Sequence, residues 1–546
     1  MAQQKGTIII EHPYYGWITT MQSGGITHGL EGPFVYAESY SGYQQYTGSV
    51  AMMPNRPGYE GHLAPAPAFT AATDGSSVVN GLAINSVIES DGQCYVALDS
   101  NRYVTLSSLS APAVSQTVYG TVGLMVGYHS GHTMPTTVNG DVAGFPAVIG
   151  STVAYSGGTA YAYFSWEDNT DGDIAQYCGT SGTSNYYTGI GGVALTNNLP
   201  HPLFNFGDKF IYCGNGQTLI QFSPSLGTFN NQALILPPQW VIQHIVQYQN
   251  FIAIAAWKAN NPITTNSTIM PSDKGQTALF LWDGFSGTFN FQYDIQDFYV
   301  SNLFYDGTNL YAITFGRNGT VKLKQFNGQS FDILFESANI GNTPGGTNSI
   351  TPCFGALDIW LNQLTWTTAG GGNINMYGSA DAENLPPGFH QVGTVNANNG
   401  MAKNLYGNTL FVGNRVNSSS YKILYSDFTK FDNQGDKFFS GFHALPTNST
   451  IDYVKMYFSQ WGTGAAMLAS IYKDYTLIGS SGGDQLNWQP TWLTQGTNVS
   501  YAYISRSIKN VNGFYMGLQW NHANLTDTAA IIRKVEIGYN WDDDNI

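Results

Sequence analysis

The chain has 546 residues, a formal net charge of −15 and only 10% charged residues, against about a quarter in an average soluble domain. Turn-forming and strand-forming residues are abundant, with 63 glycines and 35 tyrosines, whereas charged helix formers are scarce. This composition excludes a helical bundle, a coiled coil and a Rossmann-type α/β enzyme. The aromatic content of 14% excludes a largely disordered chain.

The charges are spread thinly, with no run of five or more basic residues. We therefore expect no direct binding to nucleic acid, which needs clustered Lys and Arg. No apolar stretch reaches the roughly 18 residues of a membrane-crossing helix, and the first residues lack the apolar core of a signal peptide. We therefore expect no membrane span and synthesis in a host cytoplasm. The four cysteines form no Cys-x-x-Cys pair, which favours buried thiols over zinc ligands or disulfides.

Residues 1–70 differ in pattern from the rest of the chain, because six prolines separate short apolar pieces. Such punctuation predicts an extended N-terminal arm with one or two strands. Three roles stay open for the arm: it reaches a neighbouring subunit, it supplies a strand that closes a ring of sheets, or it wraps the surface of its own chain.

A weak repeat runs through residues 71–440, in which an apolar strand, a Gly/Asp/Asn turn and a second alternating strand recur. The second strands begin near Cys94, Ala160, Phe210, Phe251, Leu310, Leu364 and Leu410. The Asp306-Gly307 pair in one of these turns predicts a two-residue type I′ hairpin. Several units continue into a third and a fourth strand, and four strands per unit of about 50 residues predict a β-propeller of about six or seven blades. Stacked β-sandwiches are the alternative.

Residues 441–546 form a second compositional unit with five predicted strands, at 451–458, 466–472, 499–504, 514–520 and 531–539. In the last of these, Ile531, Val535, Ile537 and Tyr539 share one face, with Arg533 as the polar exception. About 100 residues with five such strands predict a small β-sandwich. The expected fold is therefore all-β: an arm, a propeller and a C-terminal sandwich.

No catalytic constellation is recognisable, so we expect a protein that is not an enzyme and needs no organic cofactor. The acidic loop at Asp168, Asp171 and Asp173 offers oxygen ligands that a calcium ion would accept, although an ordinary Asp/Gly hairpin turn is the better explanation. His129 and His132 could begin a metal site only if the fold supplied a third ligand, and the alternative is a loop-exposed or packed pair.

Tyrosines crowded among Ser and Gly are the remaining signal of a site. They are Tyr14, Tyr15, Tyr40, Tyr43, Tyr46, Tyr186 and Tyr187. Tyr supplies a large contact area at low cost in conformational entropy, so these residues are candidates for contact with protein or sugar. The alternative is ordinary aromatic residues at sheet edges.

Three segments resemble structural proteins of tailed bacteriophages. Ser49–Gly58 (SVAMMPNRPG) is similar to the Arg-Pro-Gly segment near the start of many such proteins. Tyr377–Phe389 (YGSADAENLPPGF) resembles a Tyr-Ser-Asp segment that they carry within a propeller blade, and Tyr425-Ser-Asp427 followed by Phe431 resembles it again without the proline. The resemblance implies a β-propeller in a tail hub, nozzle or tail tip, present in several copies around the tail axis.

Two functions of different classes are compatible with these features. The first is a non-enzymatic virion component that binds other copies of itself and other tail proteins, and contacts fibres or host-surface glycan. The second is a glycan-binding or glycan-cleaving propeller with an accessory sandwich, which predicts two carboxylates converging at the propeller mouth.

Overall fold

The computed structural model describes an all-β protein, with no helix among the described residues. Accordingly, this part of the chain holds no helix with the length and apolarity that a membrane crossing requires. The described residues are 4–11, 18–22, 43–45, 48–50, 52–53, 56–72, 84–90, 93–98, 102–106, 151–156, 158–167, 172–177, 186–187, 195–196, 199–207, 209–260, 275–316, 320–336, 352–361, 363–368, 373–378, 388–394, 402–405, 409–417, 420–432, 437–461, 465–473, 476–480, 501–522 and 529–541.

Within its described residues, the N-terminal segment contains seven short strands, more than the one or two expected for an extended arm. They are β1 (Gln4–Glu11), β2 (Ile18–Gln22), β3 (Tyr43–Gln45), β4 (Gly48–Val50), β5 (Met52–Met53), β6 (Ala64–Pro65) and β7 (Pro67–Ala71). Several of them pair with strands far along the chain. β1 pairs along its whole length with residues 534–541, and β7 pairs with residues 424–431.

Seven groups of strands follow, and within each group every strand pairs antiparallel with the next. In chain order they are β8 (Ile84–Ser90), β9 (Gln93–Leu98) and β10 (Arg102–Leu106); β11 (Ser151–Ser156), β12 (Thr159–Glu167), β13 (Gly172–Tyr177) and β14 (Tyr186–Tyr187); β15 (Leu203–Phe206), β16 (Phe210–Asn215), β17 (Thr218–Ser223) and β18 (Thr228–Ile235); β19 (Trp240–Tyr248), β20 (Phe251–Lys258), β21 (Thr277–Trp282) and β22 (Phe291–Asp294); β23 (Tyr299–Tyr305), β24 (Leu310–Phe315), β25 (Val321–Phe326) and β26 (Phe331–Glu336); β27 (Pro352–Trp360), β28 (Gln363–Thr368), β29 (Asn373–Gly378) and β30 (Gly388–Thr394); and β31 (Ala402–Leu405), β32 (Thr409–Asn417) and β33 (Ser420–Phe431). All seven predicted second strands are confirmed, each beginning within one residue of its predicted start. We number these groups as the first to seventh sheets.

The sheets follow one another in a propeller-like arrangement. The first strand of each sheet contacts the first strand of the next, from β8 through β11, β15, β19, β23 and β27 to β31. β31 also contacts β8, so the sequence of contacts returns to its start. β7, from the N-terminal segment, lies beside β33 as the fourth strand of the seventh sheet.

The hairpin at Asp306-Gly307 differs from the expected two-residue type I′ turn. β23 and β24 are joined by four residues, 306–309, and Gly307 has a φ of 97° while Asp306 is not left-handed. The Asp306 carboxylate accepts hydrogen bonds from the backbone N–H groups of Thr308 and Asn309, at 2.7 and 2.6 Å. A side-chain cap therefore makes this turn, as short aspartate side chains commonly do.

Large apolar side chains fill the space between neighbouring sheets. Tyr212, Trp240, Phe280 and Trp282 belong to one buried cluster of the third and fourth sheets. Cys213, a buried thiol as expected, belongs to another cluster that joins the second and third sheets. Close packing between the sheets requires large apolar side chains, which explains why these strands are rich in aromatic residues and poor in charges.

The fifth sheet also packs over a buried cluster of charges. Asp297, between β22 and β23, is buried, and its Oδ2 lies 2.6 Å from Lys324 Nζ while its Oδ1 lies 3.2 Å from Lys322 Nζ. The Thr314 hydroxyl donates to Oδ2 at 2.6 Å, and Lys324 Nζ donates to the Ile295 carbonyl at 2.6 Å. These partners compensate the cost of burying the charges.

The C-terminal part has six strands, β34 (Lys437–Phe439), β35 (His443–Gln460), β36 (Ala465–Lys473), β37 (Thr476–Ser480), β38 (Tyr501–His522) and β39 (Ile531–Trp541). The predicted strands at 451–458, 466–472 and 531–539 are confirmed within β35, β36 and β39. The two predicted strands at 499–504 and 514–520 are instead one continuous strand, β38, of 22 residues.

β34 to β39 pair with β1, β2 and β3 in what we call the C-terminal sheet, and β38 is its central strand. The first half of β38 pairs with β35, and its second half pairs with β36 on one edge and β34 on the other. From β38 the order continues through β35 and β39 to β1, β2 and β3. β4 pairs with β34 and, through a single parallel pair, with β30 of the sixth sheet.

One face of this sheet carries a buried apolar core. Ile8 and Ile10 of β1 lie in the same cluster as Val454 of β35 and Ile537 of β39. The predicted facing of β39 is confirmed for Val535, Ile537 and Tyr539, which lie in this cluster, but Ile532 takes the place expected for Ile531. Ile531 packs in a separate cluster with Ala64 and Phe431, because the register between β35 and β39 shifts at this end of the strand. The alternation places the polar residues of β35, β38 and β39 on the opposite face.

Candidate functional site

Most residues singled out from the sequence lie outside the described residues. These are Asp168 and Asp171 of the calcium candidate, His129 and His132, and Tyr14, Tyr15, Tyr40 and Tyr46. The backbone alone is described for Asp173 in β13, Tyr43 in β3, and Tyr186 and Tyr187, which form β14. Among the described residues, no three His, Cys, Asp or Glu side chains are grouped to hold a metal ion. The calcium site and the tyrosine contacts stay predictions.

A polar and aromatic surface covers the face of the C-terminal sheet opposite its core. We call it the tyrosine–lysine face and define it by Tyr453, Lys455, Tyr457, Tyr501, Tyr503, Lys534 and Glu536. Residues directly opposite each other on paired strands share a face. Tyr503, Lys455 and Glu536 form one such row. The backbone register continues that row through Ile9 and Thr20 to Tyr43.

Aromatic rings and one lysine dominate the exposed part of this face. Tyr501 and Tyr503 are 54% and 55% exposed. Lys455 Nζ lies 4.6 Å from the ring centroid of Tyr457 and 5.0 Å from that of Tyr501, within the range of cation–π attraction. The rings of Tyr453 and Tyr503 are 5.4 Å apart. The lysine is thereby held between rings in a defined position.

The two lysines of the face differ in their electrostatic surroundings. Glu536 Oε1 lies 2.6 Å from Lys534 Nζ, and its Oε2 accepts a hydrogen bond from the Tyr457 hydroxyl at 2.9 Å. Burial raises the pKa of Glu536, but the hydrogen bonds from Lys534 and Tyr457 outweigh it and leave the pKa below its usual value. The pKa of Lys455 is raised, chiefly by its hydrogen bond with Tyr457. Glu536 also attracts Lys455 electrostatically, although its carboxylate pairs directly with Lys534.

A second exposed surface lies where hairpins of the third, fourth and fifth sheets end. We call it the hairpin rim and define it by Leu226, Asp283, Phe285, Asp306 and Asp332. In an antiparallel sheet of four strands, the first and third hairpins lie at the same end. The rings of Tyr248 and Tyr305, in the first hairpins of the fourth and fifth sheets, are 5.5 Å apart. Equivalent ends of these two sheets therefore lie side by side.

The loop between β21 and β22 presents the most exposed apolar side chain of the rim. Phe285 is 93% exposed. Asp283 Oδ1 accepts hydrogen bonds from the N–H groups of Phe285 and Ser286 at 2.9 and 2.8 Å. Its Oδ2 accepts from the Ser286 hydroxyl at 2.6 Å and from Asn290 Nδ2 at 3.0 Å. These bonds hold the pKa of Asp283 well below its usual range, and Trp282 Nε1 donates to the Ser286 carbonyl at 2.7 Å.

Arg56 holds the N-terminal segment against β33. Its side chain is fully buried, with Nη1 donating to the Pro65 carbonyl at 3.0 Å. Its Nη2 donates to the carbonyls of Phe428 and Lys430, at 2.6 and 3.0 Å. Its Cζ lies 4.0 Å from the ring centroid of Phe431. Burial lowers the pKa of Arg56 to about 10, so the guanidinium stays charged at neutral pH.

The residues that follow Arg56 also reach the C-terminal sheet. Gly58, with a φ of 84°, follows Pro57 and allows the chain to turn. Leu63 then exchanges backbone hydrogen bonds with Ile532, at 2.9 and 3.0 Å. The Arg56-Pro57-Gly58 segment is thus a junction between the seventh sheet and the C-terminal sheet.

The sequence contains signals for these surfaces in the alternation of its side chains. Tyr453, Lys455 and Tyr457 recur at every second position, as do Tyr501 and Tyr503, which is typical of one strand face. An Asp-Gly-Phe run with phenylalanine at a turn position indicates an exposed ring. Nothing local to Arg56 shows that it is buried.

Comparison with known proteins identifies no family. No family model matches the chain, and no curated protein matches it. Among solved structures, the extracellular domain of a hybrid two-component system from B. thetaiotaomicron is 11% identical, with a TM-score of 0.39 over 74% of this chain and 43% of that one. A puromycin-hydrolysing peptidase of Mycobacterium tuberculosis is 10% identical, with a TM-score of 0.40 over 66% of this chain and 53% of that one.

A third similar structure is the Dos1 propeller, 10% identical with a TM-score of 0.36, covering 63% of this chain and 78% of that one. This chain spans about half the length of the first two proteins or less. At these TM-scores the similarities carry no argument about activity.

Proposed function

We propose that the protein is a non-enzymatic structural component of a phage tail, as a hub, nozzle or fibre-attachment protein present in several copies. The observation that carries this proposal is the distribution of the N-terminal strands. β1 extends the C-terminal sheet, β4 bridges β34 and β30, and β7 completes the seventh sheet. A chain whose two ends are built into the same sheets resists separation of its parts, which suits a scaffold.

We propose further that the seven sheets form a seven-bladed propeller and that the C-terminal sheet folds over its core as a sandwich. The cyclic contacts from β8 to β31 and back support the first point. The pairing of β7 with β33 supports closure by a strand from the N-terminal segment. A closed ring of sheets is rigid and leaves few free strand edges.

The resemblance of the Arg56-Pro57-Gly58 segment to tail proteins supports the placement in a virion. The proposed partners are other copies of the chain and other tail proteins, with contact to host-surface glycan. The placement predicts that mass spectrometry of purified particles finds this chain at a fixed ratio to the other tail proteins.

Electron microscopy of the purified full-length chain, with mass photometry, tests the proposal. The expected result is a closed ring of several copies, each with a seven-bladed density. A chain that stays a monomer at all attainable concentrations and is missing from purified particles would overturn it.

Glycan binding is the second candidate function, favoured by the exposed rings of Tyr501 and Tyr503 beside Lys455. Aromatic faces stack on sugar rings, and a lysine adds attraction for an acidic sugar. A glycan array with wild type and Tyr503→Ala tests this candidate. A glycan that the wild type binds and the variant does not bind would support this function.

A further inference from the structure

Within the proposed multi-copy assembly, we infer that the hairpin rim of one copy docks on the tyrosine–lysine face of the next copy. This inference rests on the proposed function and adds the two surfaces that meet. It commits to a second copy of this chain as the occupant of both surfaces.

The rim has the properties of a preorganised anchor. Phe285 is 93% exposed, so its ring gains nearly all of its possible burial on binding. The loop beneath it is held by the hydrogen bonds of Asp283 and Trp282, so little conformational freedom is lost on docking. Buried aromatic anchors on rigid supports commonly dominate binding energy. Leu226, 75% exposed in the third sheet, extends the apolar part of the rim.

The tyrosine–lysine face has the properties of a receiving surface. Tyr501 and Tyr503 offer broad rings that are more than half exposed, and tyrosine is enriched in the cores of interfaces. Lys455 is fixed between Tyr457 and Tyr501, so its ammonium group is positioned before a partner arrives. An aromatic anchor such as Phe285 would stack against these rings.

Charge favours this pairing of surfaces. The chain has only 20 Lys and Arg against 35 Asp and Glu, so most of its surface repels another copy. The tyrosine–lysine face is an exception to that repulsion, because its two lysines, Lys455 and Lys534, share the one carboxylate of this face, Glu536. The rim carries the carboxylates of Asp283, Asp306 and Asp332, and complementary charge steers encounter and selects the partner.

The contact joins two different surfaces, so it is heterologous. Each copy presents one rim and one tyrosine–lysine face, and each contact leaves one of each surface free. Repetition therefore continues until the rotation between copies closes a ring. This agrees with several copies around an axis and does not depend on a particular copy number.

Two single variants and their mixture test the inference in the full-length chain by sedimentation velocity. Phe285→Ser removes the rim anchor and Lys455→Glu reverses the charge of the face. Each is expected to raise the concentration for half-assembly at least about tenfold, without a change in thermal melting. Mixed together, the two variants are expected to form a two-chain species and nothing larger, because only one intact rim and one intact face can meet.

The control is Ile235→Ser, which removes an apolar side chain that is 47% exposed at the far end of β18. It should assemble like wild type. A photo-crosslinking residue at position 285 provides an independent readout, because it should attach to peptides that contain residues 453–457 or 501–503 of another copy.

The outcomes separate this inference from the proposed function. If wild type assembles and both variants assemble equally well, the inference is wrong and the multi-copy scaffold stands. If the mixture gives no two-chain species, or if Lys455→Glu loses only binding to an acidic glycan, the pairing of these surfaces is also wrong. A wild type that never assembles would overturn both proposals.

Discussion

The seven successive sheets and the C-terminal sheet are built from the same kinds of strands but are assembled in opposite ways. In the third, fourth and fifth sheets every strand pairs with its neighbour in sequence. In the C-terminal sheet, β1 from the start of the chain pairs with β39 from its end. Local pairing involves short loops, whereas joining the two ends requires ordering the chain between them. The C-terminal sheet therefore depends on the rest of the fold.

The difference extends to the polar groups that each region buries. The fifth sheet buries Asp297 against two lysines, Lys322 and Lys324, and both of them belong to β25. The junction with the C-terminal sheet buries Arg56 against the carbonyls of Phe428 and Lys430, which are 372 and 374 residues away in sequence. A substitution in the Asp297 cluster should therefore destabilise one region, whereas a substitution of Arg56 should weaken the connection between the two regions.

Asp297→Asn should have the largest effect and should be confined to the propeller-like sheets. It leaves Lys324 buried without its carboxylate, and loss of one partner from a buried pair costs about 3–5 kcal/mol. Urea unfolding measures the total loss, and hydrogen exchange should rise in β24 and β25 before it rises in β39. Asp332→Asn, in the same sheet but exposed, is the matched control and should stay within about 0.5 kcal/mol of wild type. Equal losses in the two variants would contradict the prediction.

Arg56→Met should come next and should act on both regions. It keeps an apolar stem but leaves the Pro65, Phe428 and Lys430 carbonyls without their donor, which costs about 1–3 kcal/mol for a buried polar group and more where several are affected. Exchange should rise together at β7, β33 and the Leu63–Ile532 contact. Lys430→Met, which removes an ion pair with Asp427 that is partly exposed, should cost less than about 1 kcal/mol. Unchanged protection at β7 would argue against the junction.

Acid should weaken the C-terminal sheet selectively through His443. Its ring is buried beside Phe514, Nε2 lies 3.2 Å from the Ser440 hydroxyl, and Nδ1 has no hydrogen-bond partner. Burial lowers the pKa of His443 from 6.5 to about 3, so the unfolded chain binds a proton that the folded chain does not. Stability is full above pH 6.5 and falls as the pH drops from 6.5 toward 3, by about 1.4 kcal/mol per pH unit.

Urea unfolding at pH 7 and pH 5 measures this effect in wild type and in His443→Gln. The variant should be less stable at pH 7 but should lack the additional acid dependence. An identical slope in both proteins would show that other groups cause it.

Gly538→Ala should have the smallest effect on stability, and it tests whether the ring of Tyr453 covers β39 on the tyrosine–lysine face. A Cβ at this position would overlap the ring of Tyr453, which must turn away from β39. Overpacking of this kind costs about 1–3 kcal/mol, and the low end applies because the ring is only partly buried. Gly287→Ala, where the added carbon meets nothing within 4 Å, is the control. Thermal melting compares the two, and an equal decrease would mean that Tyr453 does not cover Gly538.

The sequence predicts the local hairpins well because their information is contiguous. Apolar alternation and turn residues lie side by side in these hairpins, and they predict the strand starts at Phe210, Phe251 and Leu310 that the structure shows. The break predicted between residues 504 and 514 does not exist, because pairing with β35 keeps the polar middle of β38 extended. Propensity alone would end a strand there.

The candidate surfaces were harder to predict for a similar reason. Tyr501 and Tyr503 carry a recognisable alternation, but their meeting with Lys455 depends on the register between β35 and β38. Of the tyrosines predicted to make contacts because they are crowded among Ser and Gly, Tyr43 is linked to the same row by the backbone register. Composition indicated that aromatic contacts matter, and the pairing of strands decided which rings come together.

By itself, the sequence determined an all-β chain, the start of the second strand of each sheet and the buried alternation of β39 from Val535 to Tyr539, because these depend on neighbours within a few residues. Only the tertiary structure decided that β1 joins β39, that β7 joins β33, and that Arg56 is buried between distant carbonyls. Those contacts depend on long-range closure, where burial of a shared core outweighs the entropy of bringing the chain ends together.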